Sequence, residues 1–135
     1  MTIKKHLTEG PIWLFSVITL ICIFWLTLFP KPLGDNPPEL FPGADKLAHA
    51  IMFGGLAIMM LFDWQRKHDW QNVPSMLGIL AALLASCWGI VIEFAQEAMD
   101  LGRSFDRGDI IADIIGSFFF IIVYIFLQKF WCRKP

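Results

Sequence analysis

The sequence lacks the motifs of common nucleotide-binding and nucleic-acid-binding proteins. It has no zinc-finger spacing, no P-loop and no dinucleotide-binding glycine pattern. The net charge is -1, so no basic field would attract nucleic acid. The chain contains only three cysteines, and their odd number and wide spacing argue against a disulfide framework or a thiolate metal site. We therefore expect no nucleic-acid partner, and we interpret Cys22, Cys87 and Cys132 as small packing residues.

Long apolar runs, by contrast, dominate the chain. Of its 135 residues, 56% are hydrophobic, including 13 Phe and 6 Trp. A soluble domain of this size cannot bury so much apolar surface, whereas a bilayer can accommodate it. Four runs approach the roughly 20 residues that a helix needs to cross a membrane. The sequence predicts an all-α bundle of four transmembrane helices, at about residues 12–29, 45–62, 73–98 and 109–131, with residues 1–135 forming a single membrane domain.

The basic residues are distributed unequally between the two predicted membrane sides. The N-terminal segment, the second connection and the C-terminal segment hold seven Lys and Arg, and the other two connections hold four. The positive-inside rule therefore predicts that both termini are cytoplasmic. The first apolar run is longer than a typical signal sequence and is not followed by a small-x-small cleavage site, so we expect it to remain as an uncleaved helix.

Ionisable residues concentrate where the predicted helices reach the outer surface. Three helices repeat a spacing of four residues, which places both members of each pair on one helix face. The pairs are Asp45 and His49, Glu93 and Glu97, and Asp109 and Asp113. Small residues on the same faces, such as Gly89 and Gly116, would let the helices approach closely. We therefore predict that the polar stripes converge inside the bundle, while the cytoplasmic halves of the spans remain almost free of charge.

Charge at membrane depth is costly, so its presence points to a functional site. His49, Glu93, Asp109 and Asp113 are the candidate catalytic residues, for general acid–base work or for holding a divalent cation. Substrate binding is predicted for a second set, which comprises Asp45, Lys46, Gln96, Arg103, Asp106 and Arg107. The basic members could bind a phosphate or carboxylate. The competing interpretation is an ion-pair network that only fixes the register of the helices, and the sequence leaves cofactor and metal undecided.

The same residues carry a resemblance to a known family. Asp45-Lys46-Leu47-Ala48-His49 resembles the D-K-x-x-H element of the VanZ-like family, and Glu93-Phe94-Ala95-Gln96 resembles its E-x-x-Q. Arg103…Asp106 and Asp109…Asp113…Gly116 resemble its R…D…D-x-x-x-N-x-x-G segment. One departure is Asp113, where the family pattern usually has Asn. The family takes its name from a protein linked to teicoplanin resistance, so the resemblance implies a role in the cell envelope.

Residues and resemblance together predict a multi-pass protein of the bacterial cytoplasmic (inner) membrane with a polar pocket at the extracytoplasmic surface. The hypothesis is that this pocket binds an anionic envelope lipid or glycan precursor, and whether it also modifies that compound as an enzyme stays open. One alternative is a non-enzymatic protein that shields a lipid or partner from an antibiotic. Another is a small ion or proton pathway, which the charge-poor cytoplasmic halves disfavour.

Overall fold

The computed structural model describes residues 9–29, 41–100 and 105–131. These residues form four α-helices and contain no strand, which confirms the predicted all-α, four-helix architecture. The helices are α1 (Leu14–Leu28), α2 (Ala44–Lys67), α3 (Ser75–Met99) and α4 (Arg107–Trp131). Of these, α2, α3 and α4 are long and apolar enough to cross a membrane. α1 is a shorter apolar helix of 15 residues, about 22 Å long at 1.5 Å per residue.

The distribution of side chains is that of a membrane protein. Large apolar side chains lie on the outside, among them Ile122 at 66% and Phe130 at 72% exposed. Among the described residues, the buried set contains more polar and charged residues than hydrophobic ones. Water would solvate such a surface poorly, whereas lipid tails solvate it well. The chain is therefore a multi-pass membrane protein whose polar groups are turned inward.

Neighbouring helices in the chain run in opposite directions. The start of α1 meets the end of α2, because Ser16 N donates to Asp63. The ends of α1 and α3 meet where Gln96 donates to the Thr27 carbonyl. The bundle thus has an end that contains the starts of α2 and α4, called the His49 end below. The opposite end, called the Arg66 end, contains the starts of α1 and α3. That the His49 end faces away from the cytoplasm stays a prediction.

The closest helix packing is between α2 and α4. A Cβ atom added to Gly116 would overlap the backbone of Ala50, and one added to Gly54 would overlap the Phe120 ring. Glycine at these positions lets the two backbones approach closely. α2 also packs against α1 and α3. The first half of α2 and of α4 therefore meet side by side, which brings the polar stripes of the sequence into contact.

The Arg66 end holds a buried ion pair just beyond the predicted end of the second span. α2 continues to Lys67, five residues beyond the predicted end, so Asp63 and Arg66 are part of the helix. Both side chains are 0% exposed, and Arg66 Nε donates to Asp63 Oδ1 at 2.8 Å. Arg66 also donates to the carbonyls of Gly10 and Pro11. Asp63 and Arg66, which the sequence analysis assigned to the second connection, are thus paired inside the bundle.

Asp63 also has the role of a helix cap for a different helix. The first amide groups of a helix lack partners within that helix, and α1 has no side-chain cap of its own. Asp63 accepts from Phe15 N at 3.3 Å, from Ser16 N at 2.8 Å and from the Ser16 hydroxyl at 2.7 Å. A carboxylate at this position also interacts favourably with the helix dipole. The start of α1 is thus fixed by a residue 47 positions later in the chain.

Candidate functional site at the His49 end

A buried histidine–aspartate pair lies at the centre of the His49 end. His49, on the second turn of α2, is 2% exposed, and Asp113 of α4 is 1% exposed. Their Nδ1 and Oδ1 atoms are 3.1 Å apart. Opposite the ionised form of Asp113, His49 Nδ1–H is the donor of this hydrogen bond, because a carboxylate can only accept. The other ring nitrogen, Nε2, is left facing Asp109 Oδ2 at 3.8 Å.

Lys46, one turn before His49, ties α2 to the start of α4. Its ammonium group lies 2.6 Å from Asp106 Oδ2 and 3.1 Å from Asp109 Oδ1. The hydrogen bond from Lys46 holds the pKa of the Asp106 carboxyl below its usual range, and the Gly108 amide adds to this effect. Lys46 is therefore already paired with two carboxylates. An incoming anion would have to compete with both of them for this charge.

Glu93 brings α3 into the same cluster. Its side chain is 0% exposed, and its Oε1 accepts from the Asp106 backbone amide at 2.5 Å. Its other oxygen, Oε2, has no hydrogen-bond partner among the described residues. The same is true of Asp113 Oδ2 and of the hydroxyl of Ser117, one turn further along α4. Buried oxygens without partners are uncommon and indicate room for a proton, water or ligand.

The remaining predicted site residues are placed less centrally. Asp45 is exposed at the start of α2, and Arg107 is exposed at the start of α4. Gln96 is buried and directed at α1, since its Nε2 donates to the Thr27 carbonyl at 2.8 Å. Arg103 lies outside the described residues. The structure therefore brings together Lys46, His49, Glu93, Asp106, Asp109 and Asp113, with Asp45 at the rim.

An apolar groove between α1 and α3 lies at the same end of the bundle. Its volume is about 410 Å³, and its lining contains no polar surface. It reaches the last turns of both helices, next to the Thr27–Gln96 contact. The lining residues are Ile21, Phe24, Trp25, Leu28, Phe29 and Met99. The sequence did not predict this groove. A groove between two helices depends on how they pack against each other, and the hydropathy of one helix carries no information about that.

The charge balance of the site is negative. Among the described residues, five carboxylates, three of them buried, accompany one lysine, one histidine and the exposed Arg107. A histidine oriented by a carboxylate can accept and release protons. A mixed set of imidazole and carboxylate groups can also bind a divalent cation. The arrangement is thus suited to proton transfer or cation binding, and an anion would need further positive charge.

Comparison with known proteins assigns the family. The VanZ/LLP1 family matches residues 15–128, which include all the described site residues. The chain therefore belongs to the VanZ/LLP1 family, and this confirms the resemblance seen in the short motifs. No curated protein and no solved structure matches the chain.

Proposed function

We propose that this VanZ/LLP1-family membrane protein binds an anionic cell-envelope lipid, or a lipid-linked glycan precursor, at the His49 end and modifies its head group by acid–base chemistry. The observation that carries the proposal is that the buried His49–Asp113 pair and an apolar groove lie at the same end of the bundle. The uneven distribution of Lys and Arg supports an extracytoplasmic location for this end, in what we propose is a bacterial inner membrane. The family's link to teicoplanin resistance favours an envelope compound.

The acid–base part of the proposal rests on the two histidine nitrogens. Nδ1–H is held by Asp113 Oδ1 at 3.1 Å, which fixes the orientation of the ring and leaves Nε2 free to accept a proton. Asp109, 3.8 Å from Nε2, would stabilise the positive charge that the ring then gains. Glu93, with one buried oxygen lacking a partner among the described residues, is the second candidate for proton transfer. These roles are typical of general acid–base sites.

The lipid part of the proposal rests on the groove. The groove lies at the same end of the bundle as the polar cluster, and an apolar surface there suits a ligand with a hydrocarbon tail better than a free sugar or ion. A volume of about 410 Å³ is within the range of small-molecule sites. An acyl or prenyl chain lying against Phe24 and Trp25 would place its head group near the end of α3, towards Glu93. Amphiphilic envelope precursors have this combination of an apolar tail and a charged head.

The anion-binding part rests on the basic residues that are not committed to the cluster. Arg107 is exposed at the start of α4, and a helix N-terminus favours a phosphate group. Arg103 is two residues before the described start of this segment and stays a predicted anion ligand. Lys46 would contribute only if the anion displaced Asp106 from it.

The proposal is tested by native mass spectrometry of the full chain, purified in mild detergent and mixed with envelope lipids. We expect a bound anionic lipid, and reduced binding by Trp25→Ala in the groove. In cells, His49→Ala and Glu93→Gln should abolish the protein's effect on teicoplanin susceptibility while leaving its amount in the membrane unchanged. Full activity of both variants would rule out the acid–base roles. Loss of activity in Arg103→Lys alone would favour the non-enzymatic shielding protein.

An ion or proton pathway finds less support. Between the two polar ends, the described interior is formed mainly by apolar side chains, with Ser86 and Ser117 as the polar exceptions. The Ser86 hydroxyl donates to the Ala82 carbonyl of its own helix. Although charge is present at both ends, a continuous polar path is not seen in the described part of the bundle. Ion flux in proteoliposomes would overturn this conclusion.

A further inference from the structure

Three side chains of the site, two of them buried and one exposed, converge on one point. Asp45, His49 and Asp109 each offer a ligand atom, and these atoms all lie within 4.8 Å of one another. Metal–ligand bonds of about 2.0–2.2 Å would place such atoms about 3.0–3.5 Å apart. The 3.8 Å between His49 Nε2 and Asp109 Oδ2 is too long for a hydrogen bond and close to this spacing. Asp45 is exposed, so small rotations of its side chain can close the remaining distance.

The orientation of His49 is that of a metal ligand. Histidines that bind a metal through one nitrogen usually donate the other N–H to a carboxylate or carbonyl. His49 does so through Nδ1–H to Asp113 Oδ1, which directs the lone pair of Nε2 towards Asp109. Asp109 is itself held through its other oxygen, Oδ1, by Lys46 at 3.1 Å. Two of the three ligands are thus positioned by partners that a bound cation would not displace.

A second observation is a buried carboxylate oxygen that has no partner among the described residues. Glu93 is 0% exposed, and its Oε2 has no hydrogen-bond partner among the described residues. It interacts electrostatically with His49, Asp109 and Asp113. A buried carboxylate oxygen without a partner is unfavourable unless a cation or a proton compensates for it. A divalent ion between Asp45, His49 and Asp109 would add positive charge next to two of the residues with which Glu93 interacts.

We infer that Asp45, His49 and Asp109 bind one divalent transition-metal cation, Zn²⁺ or Mn²⁺, with Asp113 orienting the histidine. One imidazole and two carboxylates suit these ions better than Ca²⁺ or Mg²⁺, which prefer oxygen ligands alone. Three protein ligands leave at least one coordination position open. This inference rests on the proposed function: the open position would bind the head-group phosphate or carboxylate, which explains how an anion can enter an acidic site. With the cation bound, His49 Nε2 is a ligand and no longer a base, so the proton transfer falls to Glu93.

Cation binding is measured without lipid, on the full chain freed of any polyhistidine tag and stripped with EDTA. His6 and His68 are the other two histidines, so the His6→Ala/His68→Ala double variant removes them as ligands. Equilibrium dialysis against Zn²⁺ or Mn²⁺, with metal counted by mass spectrometry, should give one ion per chain in this variant. Ca²⁺ and Mg²⁺ should bind at least about tenfold more weakly.

Ligand variants are compared with a matched acid at the other end of the bundle. In the double-variant background, Asp45→Asn and His49→Ala should each weaken binding at least about tenfold, and Asp113→Asn by about 10–100-fold. Asp69→Asn, an exposed acid at the Arg66 end, should leave it unchanged. Because Asp45 is exposed, its variant keeps the test valid even if His49→Ala does not fold.

The inference is overturned if no saturable binding is found, or if binding survives both Asp45→Asn and His49→Ala. Failure of the proposed function is recognised separately. If EDTA does not affect lipid binding, the cation does not hold the lipid head group, while the proposed lipid binding stands. One bound cation without any lipid ligand would contradict the proposed function alone.

Discussion

Gly89 of α3 faces the carboxyl group of Asp113 of α4 so closely that an added Cβ atom would lie 2.9 Å from the Asp113 Cβ and Cγ atoms. This contact positions the acid that orients His49. The family pattern usually has Asn where this chain has Asp113. Gly89 therefore contacts a site residue that differs from the family pattern. Because Gly89 has no side chain, the Asp113 carboxyl group can lie directly against the backbone of α3.

Gly89→Ala is expected to displace Asp113 and to weaken its hydrogen bond with His49. Overpacking of this kind typically costs about 1–3 kcal/mol of folding free energy. Thermal unfolding in detergent measures the loss of stability, and the affinity for Zn²⁺ should fall in parallel. Gly55→Ala is the matched control, since nothing lies within 4 Å of its added Cβ. Equal stability changes for the two variants would contradict this packing role.

Asp63→Leu should be among the most destabilising substitutions in the chain. It leaves the Arg66 charge buried without its carboxylate and removes the cap from the start of α1, which together should cost about 3–5 kcal/mol. Unfolding in detergent by a denaturant series would measure the change. Glu97→Leu, an exposed acid on α3, should have little effect. If Asp63→Leu unfolds no more easily than Glu97→Leu, the buried ion pair does not stabilise the fold.

Gln128→Leu should detach the start of α3 from α4. The Gln128 amide accepts from Val73 N at 2.7 Å and donates to the Val73 carbonyl at 3.1 Å. Leucine fills similar space but leaves both buried backbone groups unpaired, at a cost of about 1–3 kcal/mol. Hydrogen exchange at Val73 should speed up accordingly. The control is Gln71→Leu at an exposed position. Unchanged exchange at Val73 in the Gln128 variant would show that the Gln128 side chain does not hold this backbone segment.

The Lys46–Asp106 contact should be sensitive to acid. The pKa of the Asp106 carboxyl is held below its ordinary value of 3.8 by the hydrogen bond from Lys46. The contact therefore contributes its full stabilisation above that ordinary value and loses it as the pH falls through the lowered pKa. A carbon-13 NMR titration of Asp106 would follow this directly. Lys46→Gln should return the pKa towards 3.8, and an identical titration in both proteins would disprove the coupling.

The sequence alone determined the fold class. Uncharged apolar runs of this length leave a helix that crosses or enters the bilayer as the stable choice, because each backbone group must then be paired within its own segment. The four-residue spacing of acids also predicted which residues would share a face. His49, Asp109 and Asp113 indeed lie together, since small residues on the same faces allow α2, α3 and α4 to approach.

Only the tertiary structure decided which charges are buried and which are paired. Hydropathy at a helix end cannot distinguish a solvated charge from one enclosed by a neighbouring helix, so Asp63 and Arg66 were assigned to a connection although they lie inside the bundle. The sequence leaves open whether Lys46 binds an anion or pairs with nearby acids, and the structure pairs it with Asp106 and Asp109. The apolar groove between α1 and α3 depends on the distance between two helices. Such features arise from contacts between segments far apart in the chain, and local periodicity carries no information about them.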